Sequence, residues 1–295
     1  MGQLGKRRER WFYLLISPWL VGLLLFQIGP VVTALGLSFT EWHLPQLPQF
    51  VGLTHYQELI QDHLFRRSLL NTAYYTLGTV PPGIVIGLGL ALLVNRPRPG
   101  ISFFRTVYFL PAVISGVATA LLWAWMFNPQ YGMVNSVLAQ LGIHGPAWFQ
   151  DEHWAMPALI LTGLWSIGTN MLLYLAALQA VPAELVESAA LDGAGAAALF
   201  RHVTWPMVTP VTFYLLVVNI IGAFQIFTPT YIITRGGPNY ATLTLPLYIY
   251  LNAFAWGRMG YAAALAFILF MVILGLTLLQ FRFAKRWVFY VGSEA

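Results

Sequence analysis

An all-α integral membrane protein with six crossings is the fold class this sequence predicts, and three observations carry it. Hydrophobic residues make up 58% of the 295 and charged residues only 8%, too few to cover the surface of a water-soluble fold of this length. The surrounding solvent is therefore mostly lipid. Apolar runs without a single Asp, Glu, Lys, Arg or His recur at 11–39, 70–94, 106–127, 154–178, 207–230 and 261–281, each long enough for the roughly 20 residues that a helix needs to cross a hydrocarbon core. Finally, the positive charges fall unevenly between the runs.

Residues 1–10 carry Lys6, Arg7, Arg8 and Arg10 ahead of the first run. That run is too long for a signal-peptide core and ends without a small-x-small cleavage site, so it reads as an uncleaved first span. Pro81 and Pro82 in the second run and Pro111 in the third suggest kinks, whose freed carbonyls need neighbouring partners. An even number of spans puts both termini on one side. That side receives the N-terminus, Arg96, Arg98, Arg105, Arg201, Arg282, Lys285 and Arg286, eleven basic residues in all, against Arg66, Arg67, Arg235 and Arg258 on the other. The richer side is expected to be cytoplasmic, with 287–295 as a cytoplasmic tail.

The opposite segments, 41–69, 128–153 and 231–260, are rich in Pro, Gly, Trp and Tyr, as interfacial loops and short helices are. None is large enough for a separate domain, so 11–286 reads as one membrane domain. His43, His55, His63, His144 and His153 lie in these segments without metal-ligand spacing and are expected to be solvated, so no metal site is assigned. There is no Cys, which excludes disulfides and thiolate metal sites.

Between the fourth and fifth runs, 181–206 reads VPAELVESAALDGAGAAALFRHVTWP and holds three of the ten carboxylates. Pro182 and Glu184 suit the start of a helix ending near Leu191. On it Ala183, Glu187, Ala190, Leu191 and Ala194 make one small, smooth face with an acidic end. Gly193 and Gly195 interrupt the helix, Asp192 can cap a second short helix through Leu199 to Val203, and the segment becomes an elbow.

This elbow resembles the coupling segment, the EAA loop, of ABC importer permeases. Glu187, Ala189, Gly193, Val203 and Pro206 stand at the family's spacing, and Asp192-Gly193-Ala194 with Phe200 are similar to the sugar-importer branch. Ser188 and Trp205 depart mildly from the usual Ala and Leu. The resemblance extends to Phe50-Val51-Gly52-Leu53 with Tyr56, Asn71-Thr72, Phe104-Arg105-Thr106, Tyr108-Phe109-Leu110-Pro111, Gly132 with Asn135, and Thr234-Arg235-Gly236-Gly237-Pro238. It implies a type I ABC importer permease fold of the maltose or glycerol-3-phosphate type, in a bacterial or archaeal cytoplasmic (inner) membrane. The large extra outer domain of the maltose subunit is absent.

No GxxxxGK[ST], HExxH or GxSxG pattern occurs, and the spans hold no ionisable residue for a proton relay. The chain is thus expected to be no enzyme and to hold no cofactor. The resemblance implies that ATP and Mg are bound by a partner ABC ATPase dimer, alongside a second, unlike permease subunit and an extracytoplasmic substrate-binding protein. No nucleic-acid partner is expected. The resemblance also assigns ATPase docking to Glu187, Ala189, Ala190, Asp192, Gly193, Ala194 and Phe200. It places the substrate path at Thr169, Asn170 and Tyr174 before the elbow and Asn219, Gly222, Ala223, Phe224 and Gln225 after it. Asn219 and Gln225 lie six residues apart, about 600° around a helix, so at most one should point squarely into a narrow path. Amides and an aromatic ring suit a neutral sugar, although the amides could instead tie helices together. A sodium-coupled secondary transporter and a membrane assembly or scaffold protein stand as alternatives.

Overall fold

The computed structural model describes residues 3–43, 47–96 and 98–290. Residues 1–2 of the basic N-terminus and 291–295 of the tail lie outside the described residues. The chain forms two compact units, one from residues up to 62 with 249–270, the other from 63–248 with 271 onward.

In the first unit, α1 (Gln3–Leu23) passes through a π-helical turn at Leu24–Ile28 into α2 (Gly29–Leu37). Pro30 has no N–H to offer the preceding turn, and the helix widens just ahead of it, with the Gly29 N–H reaching back to the Leu24 carbonyl. A small antiparallel pair follows, β1 (Thr40–Glu41) with β2 (Gln49–Phe50), and then α3 (Thr54–Gln61). Arg258 donates to both Glu58 oxygens at 2.6 and 2.7 Å and lies 4.4 Å over the Tyr261 ring, whose hydroxyl donates to Asp62. The expectation that every outer histidine is solvated fails at His55. It is 7% exposed, with Nε2 3.0 Å from the Thr40 carbonyl oxygen.

The second unit opens with α4 (His63–Val94), which continues through Pro81 and Pro82 as one helix. The third apolar run is not one straight helix. It divides into α5 (Ile101–Val113) and α6 (Gly116–Met126), bent by 100°. Pro111 withdraws a donor from the last turn of α5, and Ile114 and Ser115 then turn extended. After α7 (Met133–Gln140), the fourth run is also a bent pair, α8 (Ala155–Leu164) and α9 (Gly168–Gln179), at 40°. The elbow contains α10 (Ala183–Leu191) and α11 (Ala196–Leu199). A π-helical turn at Phe200–Thr204 leads without a break into α12 (Trp205–Phe224), so the fifth helix stops six residues short of the expected Thr230. Next come a π-helical turn at Thr230–Thr234 and α13 (Leu245–Tyr250). At the end of α13 the chain returns to the first unit for another such turn at Leu251–Ala255 and the start of α14 (Met259–Ala284), which finishes in the second. By length and apolarity four described helices suffice to cross a membrane, or six crossings when each bent pair counts as one.

Helix α4 is the hub of this unit, packing against α8, α9 and α12. The core between them contains Val80, Ile84, Ala91, Met171, Leu175, Val208 and Leu215. Gly87 lets α4 and α9 meet, because a Cβ there would lie 2.8 Å from that of Asn170. At the other end of α4, Asn71 donates to the Tyr240 and Leu243 carbonyls at 2.9 and 3.0 Å, and the Thr72 hydroxyl accepts the Leu245 N–H. Arg67 donates to Glu152 at 2.7 Å, and the Asn239 amide reaches the same carboxylate at 3.2 Å.

Hydrogen bonds from Arg67 and then Asn239 hold the Glu152 carboxyl below its ordinary range. A lowered carboxylate value means that this stabilisation is present above the ordinary value near 4.3 and is lost as pH falls through the lowered one. The thermal midpoint of purified Glu152→Gln should therefore lie below wild type at pH 7, and the difference should close as pH drops below about 4. A difference that widens in acid would refute the clasp.

Candidate functional site

Two parts of the second unit hold the expected site residues. The first is a cavity of about 660 Å³ walled by α4, the α8–α9 bend and the end of α12. Of the expected path residues, Thr169, Asn170, Asn219, Gly222, Ala223 and Gln225 line it. The Asn219 amide donates to the Asn170 side-chain oxygen at 3.1 Å, and the Asn170 amide lies 3.4 Å from the Gly83 carbonyl oxygen. These two residues thus line the cavity and also tie α12 to α9 and α9 to α4. Such interhelical bonds contribute roughly 0.6–2 kcal/mol each.

The helical-wheel argument against Asn219 and Gln225 sharing the path does not apply. Gln225 lies beyond the last residue of α12, at φ −99° and ψ 14°, and both side chains line one cavity. Two expected path residues do not line it. Tyr174 is fully buried in the α4–α9–α12 core with its hydroxyl donating to Thr212 at 3.0 Å, and Phe224 is buried at the end of α12. The aromatic lining comes instead from Tyr75, Tyr214 and Phe227, the last stacked on Tyr231 at 5.2 Å.

Tyr75, Thr79, Ser166 and Tyr214 were missed in the sequence because aromatic and hydroxyl residues are common on buried helix faces. Nothing in a linear pattern shows that α8 breaks at Ser166. A second cavity of about 250 Å³ is also lined by Tyr75, Gly163, Ser166, Thr169 and Pro229, and reaches the α5–α6 break at Pro111, Ile114 and Gly116. No residue lining either cavity carries a charge.

The second part is the elbow. Gly193 has φ +80°, a conformation that strains any residue with a Cβ. Its N–H donates to the Ala190 carbonyl at 3.0 Å and the Ala194 N–H to the Ala189 carbonyl at 2.9 Å, closing α10 in a Schellman motif. Asp192 is therefore the C-cap of α10 and not the N-cap of a second helix; Gly195 holds that position for α11. Glu187, Ala190, Asp192 and Gly193 are exposed, while Ala189, Ala194 and Phe200 are half-buried. Leu191, at 89% exposure, projects beside them. The sequence pattern puts it on one face of the elbow with Ala183, Glu187, Ala190 and Ala194 without singling it out.

Residues 83–288 match the sequence model described as "Binding-protein-dependent transport system inner membrane component". The chain belongs to this family. The permease is 36% identical over 287 residues to the probable ABC transporter permease protein YesP of Bacillus subtilis, covering 96% of this chain and 93% of that one. It is also 36% identical to the sn-glycerol-3-phosphate transport system permease protein UgpA of Yersinia pestis, covering 94% and 95% of the two chains. The sulfoquinovosyl glycerol transport system permease protein SmoG of Agrobacterium fabrum is 36% identical, with 92% and 89% covered. In fold, the permease matches a chain of a bacterial alginate ABC transporter, crystallised with its alginate pentasaccharide-bound periplasmic protein. The TM-score is 0.85 at 24% identity, over 95% of this chain and 96% of that one. The fold is that of a type I ABC importer permease, and the permease is a multi-pass transport component of an inner membrane.

The two amides of the cavity separate two roles. Asn219→Leu leaves the buried Asn170 oxygen without its donor and should lower the thermal stability of the purified protein by about 1–3 kcal/mol. Gln225→Leu removes an exposed cavity amide and should leave the unfolding midpoint unchanged while reducing uptake. Equal destabilisation by both would remove Gln225 from the path.

Proposed function

We propose that this permease forms the path of an ATP-driven, binding-protein-dependent importer for a neutral sugar or oligosaccharide, coupled through its elbow to a separate ATPase. The cavity carries this reading. Amides and hydroxyls can exchange hydrogen bonds with sugar hydroxyls, the Tyr75, Tyr214 and Phe227 rings can meet sugar faces, and an anion would find no Arg or Lys in the wall. The named relatives UgpA and SmoG are transport proteins for sn-glycerol-3-phosphate and sulfoquinovosyl glycerol. Their substrates share polyol chemistry with a sugar, but the acidic groups have no cationic counterpart in this cavity. Mass spectrometry of the ligand retained by the co-encoded binding protein should find a neutral carbohydrate; a phosphorylated or uronic acid ligand would overturn the neutral reading.

The elbow supports the energetic half of the proposal. On the positive-inside count it lies in the cytoplasm with both termini, where ATP is available. ATP and Mg would be held by an ABC ATPase dimer, since this sequence has no phosphate loop of its own. A second, unlike permease would supply the other elbow and the other wall of the path, and a binding protein would deliver substrate from outside. The sodium-coupled and scaffold readings leave the match to a binding-protein-dependent transport family unexplained.

Glu187 would face a basic group on the ATPase, a pairing whose truncation commonly costs about 2–5 kcal/mol. Gly193→Asp would force a side chain into the left-handed region and distort the Schellman turn. Purified complexes carrying Glu187→Ala or Gly193→Asp should bind ATPase weakly or hydrolyse ATP without transport. Wild-type coupling in both would refute elbow docking.

A further inference from the structure

Two prolines four residues apart begin α12. Pro210 has no N–H, so the Pro206 carbonyl loses the helical donor that position 210 would supply. The Thr209 hydroxyl takes that place, donating to the Pro206 carbonyl at 2.6 Å. Thr209 is 1% exposed, and its oxygen accepts a second bond, from the Phe289 N–H at 2.9 Å. The chain beyond α14 thus comes back onto α12 at the point where the proline weakens it.

Side chains reinforce that return. Phe213, one turn further along α12, is met edge-on by Phe281 of α14 at 5.0 Å and by Trp287 of the tail at 6.3 Å. The tail turns at its start through Arg286 N–H to Phe283 and Val288 N–H to Ala284 carbonyl bonds. A backbone donor and two rings therefore brace one and a half turns of α12 from outside, immediately after the π-helical turn at the end of the elbow.

We propose that residues 284–289 are a strap that locks the start of α12 to the end of α14, with Thr209 as its positioning residue. The inference rests on the proposed coupling role of the elbow. Force applied there enters α12 through a π-helical turn and a proline pair, the two features most prone to bend a helix. The strap keeps displacement from being absorbed at that point, so that α12 and α14 follow the elbow together.

The chain has no Cys, so labels can be placed by single substitutions. Spin labels at Ser188→Cys and Arg282→Cys, both at exposed positions, would report the distance from elbow to α14 in the complex with its ATPase, before and after ATP with vanadate. The strap predicts an unchanged distance in this labelled pair. Thr209→Val keeps the shape but leaves the Phe289 N–H and Pro206 carbonyl unpaired. It should broaden the distribution after ATP and lower transport per ATP hydrolysed on the order of tenfold, the scale of one buried polar group left unmet. Thr209→Ser should restore both values, and Trp287→Ala, a substitution outside α12, should reproduce the Val effect. A wild-type distance that shifts with ATP, or unchanged distances in Thr209→Val and Trp287→Ala, would overturn the strap. Glu187→Ala and Gly193→Asp run in parallel separate the two ideas. Uncoupling in either with full coupling in Thr209→Val sinks the strap alone, whereas full coupling in both Glu187→Ala and Gly193→Asp sinks the elbow reading on which it rests.

Discussion

A chain this apolar must satisfy its own backbone wherever water is missing, and prolines within the helices make that requirement acute. Each proline removes one donor and leaves a carbonyl exposed to a medium that cannot bond it. The structure answers in different ways. Ahead of Pro30 and Pro206 the helix widens into a π-helical turn. At Pro210 a neighbouring threonine supplies the missing donor. After Pro111 the helix ends and a new one starts at a steep angle. The irregular points are consequences of where prolines stand, and the candidate site lies among them.

The hub helix α4 shows how such a fold accommodates polarity without charge. Thr72 and Thr76 turn their hydroxyls back to carbonyls one turn earlier, at 2.7 and 2.8 Å, so they present little unmet polarity to the core. Asn170 and Asn219 cannot do this and bond across helices instead, to α4 and to each other. Both also border the cavity, so one pair of amides serves helix packing and the polar wall. Ionic groups stay outside the apolar runs, in the Glu152 clasp and in the Arg258–Glu58–Tyr261 knot.

Fold class and elbow were legible because their signals are local. Charge-free runs of span length and a glycine that interrupts a helix depend only on composition and backbone sterics, and Gly193 ends α10 at a φ of +80°. The cavity lining was legible in part. Asn170, Asn219 and Gln225 stand out as amides in apolar runs, and a polar group there must face protein or a wet cavity. What was lost depends on where helices end. Phe224 seemed suited to stacking until α12 stopped beside it and Phe227 took the lining position. Tyr174 found a buried partner in Thr212 that no spacing rule could name. Asp192 was assigned to the wrong helix because one acidic residue between two helices can cap either, and the choice is made by the Schellman bonds of its neighbours.

Helix continuity links the elbow to the cavity wall. From Ala196 to Phe224 the backbone is helical without a break. At about 1.5 Å per residue this element is roughly 40 Å long. One end adjoins the Schellman turn and the exposed Leu191; the other carries Asn219, Gly222 and Ala223 into the cavity wall. A displacement at the elbow therefore needs no chain of side-chain contacts to reach the cavity wall, provided the element stays stiff. Its first turns are where stiffness is least assured, since they combine a π-helical turn with Pro206 and Pro210. It is on these turns that the Thr209 hydroxyl, the Phe289 N–H and the rings of Phe281 and Trp287 converge. Interactions worth little singly are placed where a long lever would otherwise fold, and on the proposed reading that placement lets one helix serve both coupling and the path.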